Sequence, residues 1–211
     1  MIKEIVQYFA ENSNTYWFYL WQHISLSLSA LFFALLIGLP LGYMCYRHSL
    51  LKQLALLLSQ GLRVIPSLGV LFFFIPLIGV GTWPALIALV FLAVPPILLN
   101  TILGFSEIPK DLIETGIGLG MTNKELLKNV MFPLAIPYIL TGTKLALVEI
   151  IASATLATYI GGGGLGTLIF TGLGLYRYDL LVIGGGSVAL LSFLCMLVFD
   201  LGISGVNYYE K

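Results

Sequence analysis

The sequence predicts an all-α integral membrane protein with about five transmembrane helices. Three observations carry that prediction. Of 211 residues, 59% are hydrophobic and 9% are charged, with a mean hydropathy of +1.00; a soluble domain of this length has too little interior to hold so much apolar side chain. Several windows exceed about 18 apolar residues, the length at which a helix crosses hydrocarbon. One polar stretch, ETGIGLGMTNKELLKNVMFP from Glu114 to Pro133, stands between long apolar runs and gathers Glu114, Lys124, Glu125 and Lys128. That stretch reads as a cytoplasmic loop folded back between two spans. The chain is a single membrane domain over 1–211, with an amphipathic lead-in at 1–21, the loop at 106–133 and an extracytoplasmic re-entrant segment at 160–178.

The lead-in carries Ile5, Val6 and Phe9, then Tyr16, Trp17, Tyr19 and Trp21, an aromatic belt suited to a membrane surface. The first span runs from about His23 to Tyr46. Within it Gly38 and Gly42 form a GxxxG that lets helices approach closely, either against another subunit or inside the bundle, and Pro40 predicts a kink. The second apolar region, Gln53 to Val80, is interrupted at Arg63-Val-Ile-Pro66-Ser67. Helices broken at membrane depth occur where they line a cavity, so Ile65, Pro66 and Ser67 either border a pathway or mark a simple kink.

Gly79-Val-Gly81-Thr82 is a turn signal, with Trp83 and Pro84 at the surface. The third span covers about Trp83 to Phe105, with Pro95-Pro96 inside it. The fourth covers about Leu134 to Tyr159, and GGGGLG follows at Gly161–Gly166. The fifth covers about Leu180 to Ile203.

Basic residues set the orientation. With the N-terminus outside, Arg47, Lys52, Lys110, Lys124, Lys128 and Lys211 fall inside and only Lys3 and Arg177 outside. The loop at 106–133 and the C-terminus are then cytoplasmic.

Catalytic chemistry has no foothold in this sequence. His23 and His48 sit at opposite ends of the first span, no HExxH, GxSxG or paired-carboxylate pattern occurs, and GGGGLG lacks a βαβ setting. There is no GxxxxGK[ST], so the chain does not bind ATP through a P-loop. A net charge of zero leaves no basic face for nucleic acid, and Cys45 and Cys195 read as small core residues with no metal spacing. Charged groups inside spans are the better candidates. A charge at helix centre costs about 2.5–3.5 kcal/mol on the insertion scale, so Lys144, Glu149 and Asp200 each need a partner or water. Glu149, nearest mid-membrane, either lines a path for a cationic solute or makes a structural hydrogen bond, with Ser153 one turn on as a partner. Lys144 and Asp200 lie near the ends, where side chains snorkel.

Glu114, Gly120, Val130 and Pro133 fall at the spacing E-x5-G-x9-[IV]-x2-P. This resembles the EAA loop of ABC importer permeases, with Thr115-Gly116 where that loop has two alanines. Ile65-Pro66-Ser67, the Pro76–Thr82 turn, Pro96–Thr101 and Ser153–Gly166 extend the resemblance over about residues 20–205, in the order seen in the osmoprotectant branch, whose permeases carry glycine betaine, carnitine and choline. The resemblance implies a permease subunit in a bacterial cell membrane, working with a second permease, identical or paralogous, two ABC ATPase subunits and an extracytoplasmic solute-binding protein. ATP and Mg would sit on the ATPase, and this chain would hold no cofactor. Coupling to the ATPase would fall to Glu114, Leu119, Gly120, Met121 and Pro133. The translocation path would run past Ile65, Pro66, Ser67, Glu149, Ser153 and Thr155. A methionine-type or other amino-acid importer shares the fold and the loop. A secondary transporter or channel acting alone would need an internal inverted repeat, and none is visible.

Overall fold

The computed structural model describes residues 1–208, and among them every regular element is helical. In chain order these are α1 (Ile2–Arg47), α2 (Ser49–Val64), α3 (Ser67–Ile78), α4 (Thr82–Ser106), α5 (Lys110–Gly118), α6 (Asn123–Leu126), α7 (Phe132–Leu156), α8 (Gly166–Gly174) and α9 (Tyr178–Tyr208). A π-helical turn, Leu127–Met131, leads into α7, and a 3-10 turn, Ala157–Ile160, leaves it. Lys211, counted above among the cytoplasmic charges, lies outside the described residues, as does the side chain of Arg63.

Helix α4 is the centre of the bundle, packed along α1 on one side and α7 on the other. Apolar helices in lipid gain no hydrophobic advantage by associating, so close backbone approach holds them together. Small residues provide it here. A Cβ on Gly38 would stand 2.8 Å from Ile97 Cγ2, and one on Gly42 would stand 2.6 Å from Thr101 Cβ. The GxxxG therefore serves packing inside the chain. On the other side, a Cβ on Gly142 would meet Asn100 Cβ at 2.6 Å and Pro96 O at 2.9 Å. Leu89, Ile97, Ile150 and Ile151 fill the buried stack between these contacts.

Among the described residues four helices are long and apolar enough to cross a membrane: α1, α4, the run through α7, and α9. The Gln53–Val80 region is a bent pair. Its members, of 16 and 12 residues, are each too short to span alone. They meet at 98°, with the break at Ile65-Pro66, where Ile65 is extended (φ −76°, ψ 123°). Proline forces this by disfavouring helical geometry in the residue before it. Pro40 does not interrupt its helix. It lies inside α1, and the non-helical residue there is Asn12 (φ −127°, ψ 21°). Neighbouring helices commonly re-satisfy the groups that a membrane proline frees. A kink at Asn12 sets the first turns of α1 apart from the rest, and the stretch after it already exceeds a hydrocarbon core of about 30 Å, so those first turns extend past the span. There Tyr8 packs with Leu165, Leu168, Leu180 and Ile183, and Tyr16 Oη lies 2.9 Å from Ser187 Oγ.

The end of the bundle opposite α5 and α6 is knitted by the glycine loop. Gly164 N–H donates to Gln22 Oε1 (2.9 Å), Thr158 Oγ1 donates to Gly163 O (2.8 Å), and Gly81 N–H donates to Ile160 O (2.5 Å). His23 is 1% exposed, and its Nε2 lies 3.1 Å from Ile151 O. Two charges expected to snorkel separately instead satisfy one another. Lys144 Nζ donates to Asp200 Oδ1 at 2.6 Å, joining α7 to α9.

Candidate functional site

The segment Lys110–Pro133 folds as two short helices joined by a tight turn. Gly116 does not stop α5, which ends at Gly118. Its end is a Schellman motif. Met121 N–H donates to Gly116 O (3.1 Å) and Gly120 N–H donates to Ile117 O (2.9 Å), with Gly120 left-handed at φ +80°. That is the position glycine fills at helix ends without a Cβ penalty. The absent side chain at Gly116 is used as well: a Cβ there would collide with Leu126 Cδ1 at 2.6 Å, so glycine lets α6 lie against α5.

Helix α6 starts with a capping box. Thr122 N–H and Oγ1–H both donate to Glu125 Oε2 at 2.8 Å, and Thr122 Oγ1 accepts from Glu125 N–H. The hydrogen bond from the Thr122 backbone, and then that from its hydroxyl, hold the Glu125 carboxyl below its usual range. The π-helical turn ends as Phe132 N–H reaches back to Leu127 O, and Pro133 comes next. In an unbroken α-helix the Pro133 ring would strike the carbonyl four residues back, and the wider turn relieves that clash.

The result is a stiff hairpin with a projecting tip. Leu119 is 73% exposed, Glu114, Gly120 and Pro133 are exposed, and Met121 is half-buried beneath the turn. Four of the five residues expected at the coupling surface are thus exposed, while Met121 is half-buried.

The residues expected along a pathway divide. Ile65 and Glu149 line one cleft of about 270 Å³, together with Leu62, Phe91, Leu92, Pro95 and Pro96. The broken pair, α4 and α7 each contribute a wall. Pro66 is exposed and Ser67 half-buried at the break, and neither lines the cleft. Ser153 is 5% exposed, inside the helix stack, and Thr155 donates to Ala152 O at 2.7 Å. Neither lines the cleft. Phe91, Pro95 and Pro96 are lining residues that sequence reasoning passed over. Their signal was present, since Pro95-Pro96 lies mid-span, where freed backbone groups favour a cavity. Of the consecutive rings at 72–74, Phe72 and Phe73 are 45% and 65% exposed, while Phe74 packs toward Phe91 with centroids 6.0 Å apart.

Residues 14–206 match the family model described as the binding-protein-dependent transport system inner membrane component. The chain is 43% identical over 198 residues to a carnitine transport permease protein of Listeria monocytogenes, covering 94% of this chain and 90% of that one. It is 40% identical over 188 residues to a choline transport system permease protein of Bacillus subtilis, covering 89% and 87%. Its fold matches a chain from inward-facing crystals of the MetNI methionine ABC transporter with a TM-score of 0.79 at 23% identity, covering 88% and 93%.

Proposed function

The chain belongs to the binding-protein-dependent transport system inner membrane components, and from that premise we propose that it is the permease subunit of an ATP-driven importer for quaternary ammonium compatible solutes such as glycine betaine, carnitine and choline. The observation that carries the solute class is the likeness, along nearly the whole chain, to permeases named for carnitine and choline. The cleft agrees with it chemically. Glu149 and Phe91 both line it, and a carboxylate and an aromatic ring are two features that attract a quaternary ammonium, which has no N–H to donate and no lone pair to accept with.

In this reading the cleft at the Ile65–Pro66 break is part of the path, and Glu114, Leu119, Gly120 and Pro133 present the surface that meets the ATPase, supported by Met121 from below. The hairpin is suited to that work because the capping box, the Schellman turn and the π-helical turn make it one rigid piece joined directly to α7, so a push at the tip moves a span. ATP and Mg are held by the ATPase subunits. A second permease subunit completes the path, and a solute-binding protein delivers cargo to the end carrying the glycine loop. The hairpin end faces the cytoplasm and the N-terminus faces out, in keeping with Arg47, Lys52, Lys110, Lys124 and Lys128 at one end and Lys3 and Arg177 at the other.

The test is the complex extracted from its native membrane, with whatever ATPase and binding protein accompany it, placed in liposomes and assayed for ATP-driven uptake. Labelled betaine, carnitine or choline should accumulate, and excess methionine should not compete. Competition by methionine alone would overturn the solute class. Flux without ATP through the purified chain would overturn the importer reading.

A further inference from the structure

Where α1 ends, two clefts adjoin. One, of about 400 Å³, is walled by Leu39, Tyr43, Phe105, Phe132 and Ile139 and bordered by Lys124 and Lys128. The other, also about 400 Å³, is bordered by Arg47, His48 and Lys124 and shares Tyr43, Lys124 and Leu127 with the first. Leu39, Tyr43 and Arg47 follow one another at intervals of four, so one face of α1 forms the floor of both. The groove is therefore apolar within the span and cationic where the helix leaves it. Thr101, the polar side chain in the apolar part, is already used, since its hydroxyl donates to Ile97 O at 2.8 Å.

The charge is one-sided. Arg47, His48, Lys124 and Lys128 are exposed, and among the described residues no aspartate or glutamate lines either cleft. Among the described residues, the nearby acidic side chains lie elsewhere: Glu107, Asp111 and Glu114 on the α4–α5 connection and α5, and Glu125 inside its capping box. An apolar slot opening onto a cationic rim at the edge of a span fits an amphiphile with a negative head. A zwitterionic head would place a cation among four basic groups, and a free phosphate would use the rim while leaving the slot empty.

We propose that this double cleft binds an anionic phospholipid, with one acyl chain between α1 and the start of α7 and the phosphate among Arg47, Lys124 and Lys128. The proposal rests on the membrane spans and not on the identity of the solute.

The experiment is native mass spectrometry of the full-length protein, in the assembly in which it is extracted, after exchange into nanodiscs of phosphatidylglycerol and phosphatidylcholine in equal amounts. Phosphatidylglycerol should be retained preferentially, and added inorganic phosphate should not displace it. In the Arg47→Gln/Lys124→Gln double variant the retained phosphatidylglycerol should fall by about tenfold or more, the order expected for two lost surface cations, with phosphatidylcholine unchanged. The Arg47→Lys/Lys124→Arg variant should restore it. Equal retention of the two lipids by the unsubstituted protein would overturn the proposal without reliance on any variant. So would displacement by phosphate, or a photocrosslinker at Met44, which also lines the cationic cleft, joining another protein chain instead of lipid.

Discussion

Glycine does opposite work in two regions of this molecule. In the α1–α4–α7 stack, a Cβ on Gly38, Gly42, Gly104 or Gly142 would come within 2.8 Å of a side chain on the next helix. In the broken pair and the hairpin tip, Gly61, Gly79, Gly118 and Gly120 have nothing within 4 Å. The stack is held by backbones that touch, while the other region has open surface where contacts would be. In lipid, where close packing supplies the association energy, that difference separates what must stay fixed from what is free to shift or to receive another subunit. The 270 Å³ cleft lies on the border. Leu62 and Ile65 come from the loose side, and Pro95, Pro96 and Glu149 from the tight one.

The largest effect should come from filling the tight side. Gly142→Leu puts a branched side chain where Asn100 Cβ and Pro96 O leave less than 3 Å for a single carbon. Overpacking of this kind costs about 1–3 kcal/mol and sometimes more. The expected result is loss of monodisperse protein on gentle extraction, read by size-exclusion chromatography. Wild-type yield and thermal stability would show that the stack is looser than its glycines indicate.

On the open side the same residue type should matter for activity alone. Gly120→Asp keeps a residue that tolerates left-handed geometry better than most, at a point where its side chain meets nothing. Membrane insertion and assembly should survive, and ATP-driven uptake should disappear, because a new charge sits at the tip proposed to enter the ATPase. Normal uptake would remove the coupling role from this turn.

Between the two regions, Glu149→Gln preserves shape and removes charge. Uptake of a cationic solute should fall about tenfold, equivalent to one modest charge contact, with stimulation of the ATPase by loaded binding protein retained. Unchanged uptake would place the path elsewhere.

How far these regions were legible in the sequence follows the same division. Spans could be read because apolar length is a one-dimensional property, and Pro66 announced the break by its effect on the residue before it. Gly120 could be read because a left-handed helix end asks for glycine wherever the helix stops. Pro40 could not be distinguished from Pro66 by chemistry alone. One sits in α1, supported by α4, and the other joins two helices too short to span, so tertiary context decided between break and no break. For the same reason Ser153, one turn from Glu149, looked like a path residue, yet it is buried in the stack. The pairing of Lys144 with Asp200 spans 56 residues, and nothing local to either signals it.

The smallest effect is also the sharpest comparison. Gly42→Ala and Gly61→Ala add the same methyl group to the interior of a helix, and intrinsic propensity favours both by up to about 1 kcal/mol. At Gly61 nothing stands within 4 Å, so that gain should be kept, and the variant should melt slightly above the unsubstituted protein in the same detergent. At Gly42 the new carbon would lie 2.6 Å from Thr101 Cβ and 3.1 Å from Leu98 O. Backbone cannot yield there without parting α1 from α4, so the packing cost of about 1–3 kcal/mol outweighs propensity and the variant should melt lower. The opposite signs are what matter, because propensity cancels between the two substitutions and only the surroundings remain. Equal shifts would mean that α2 is covered in the assembled protein as closely as α1 is covered by α4, and the contrast between a fixed stack and a loose pair would then belong to the isolated chain alone.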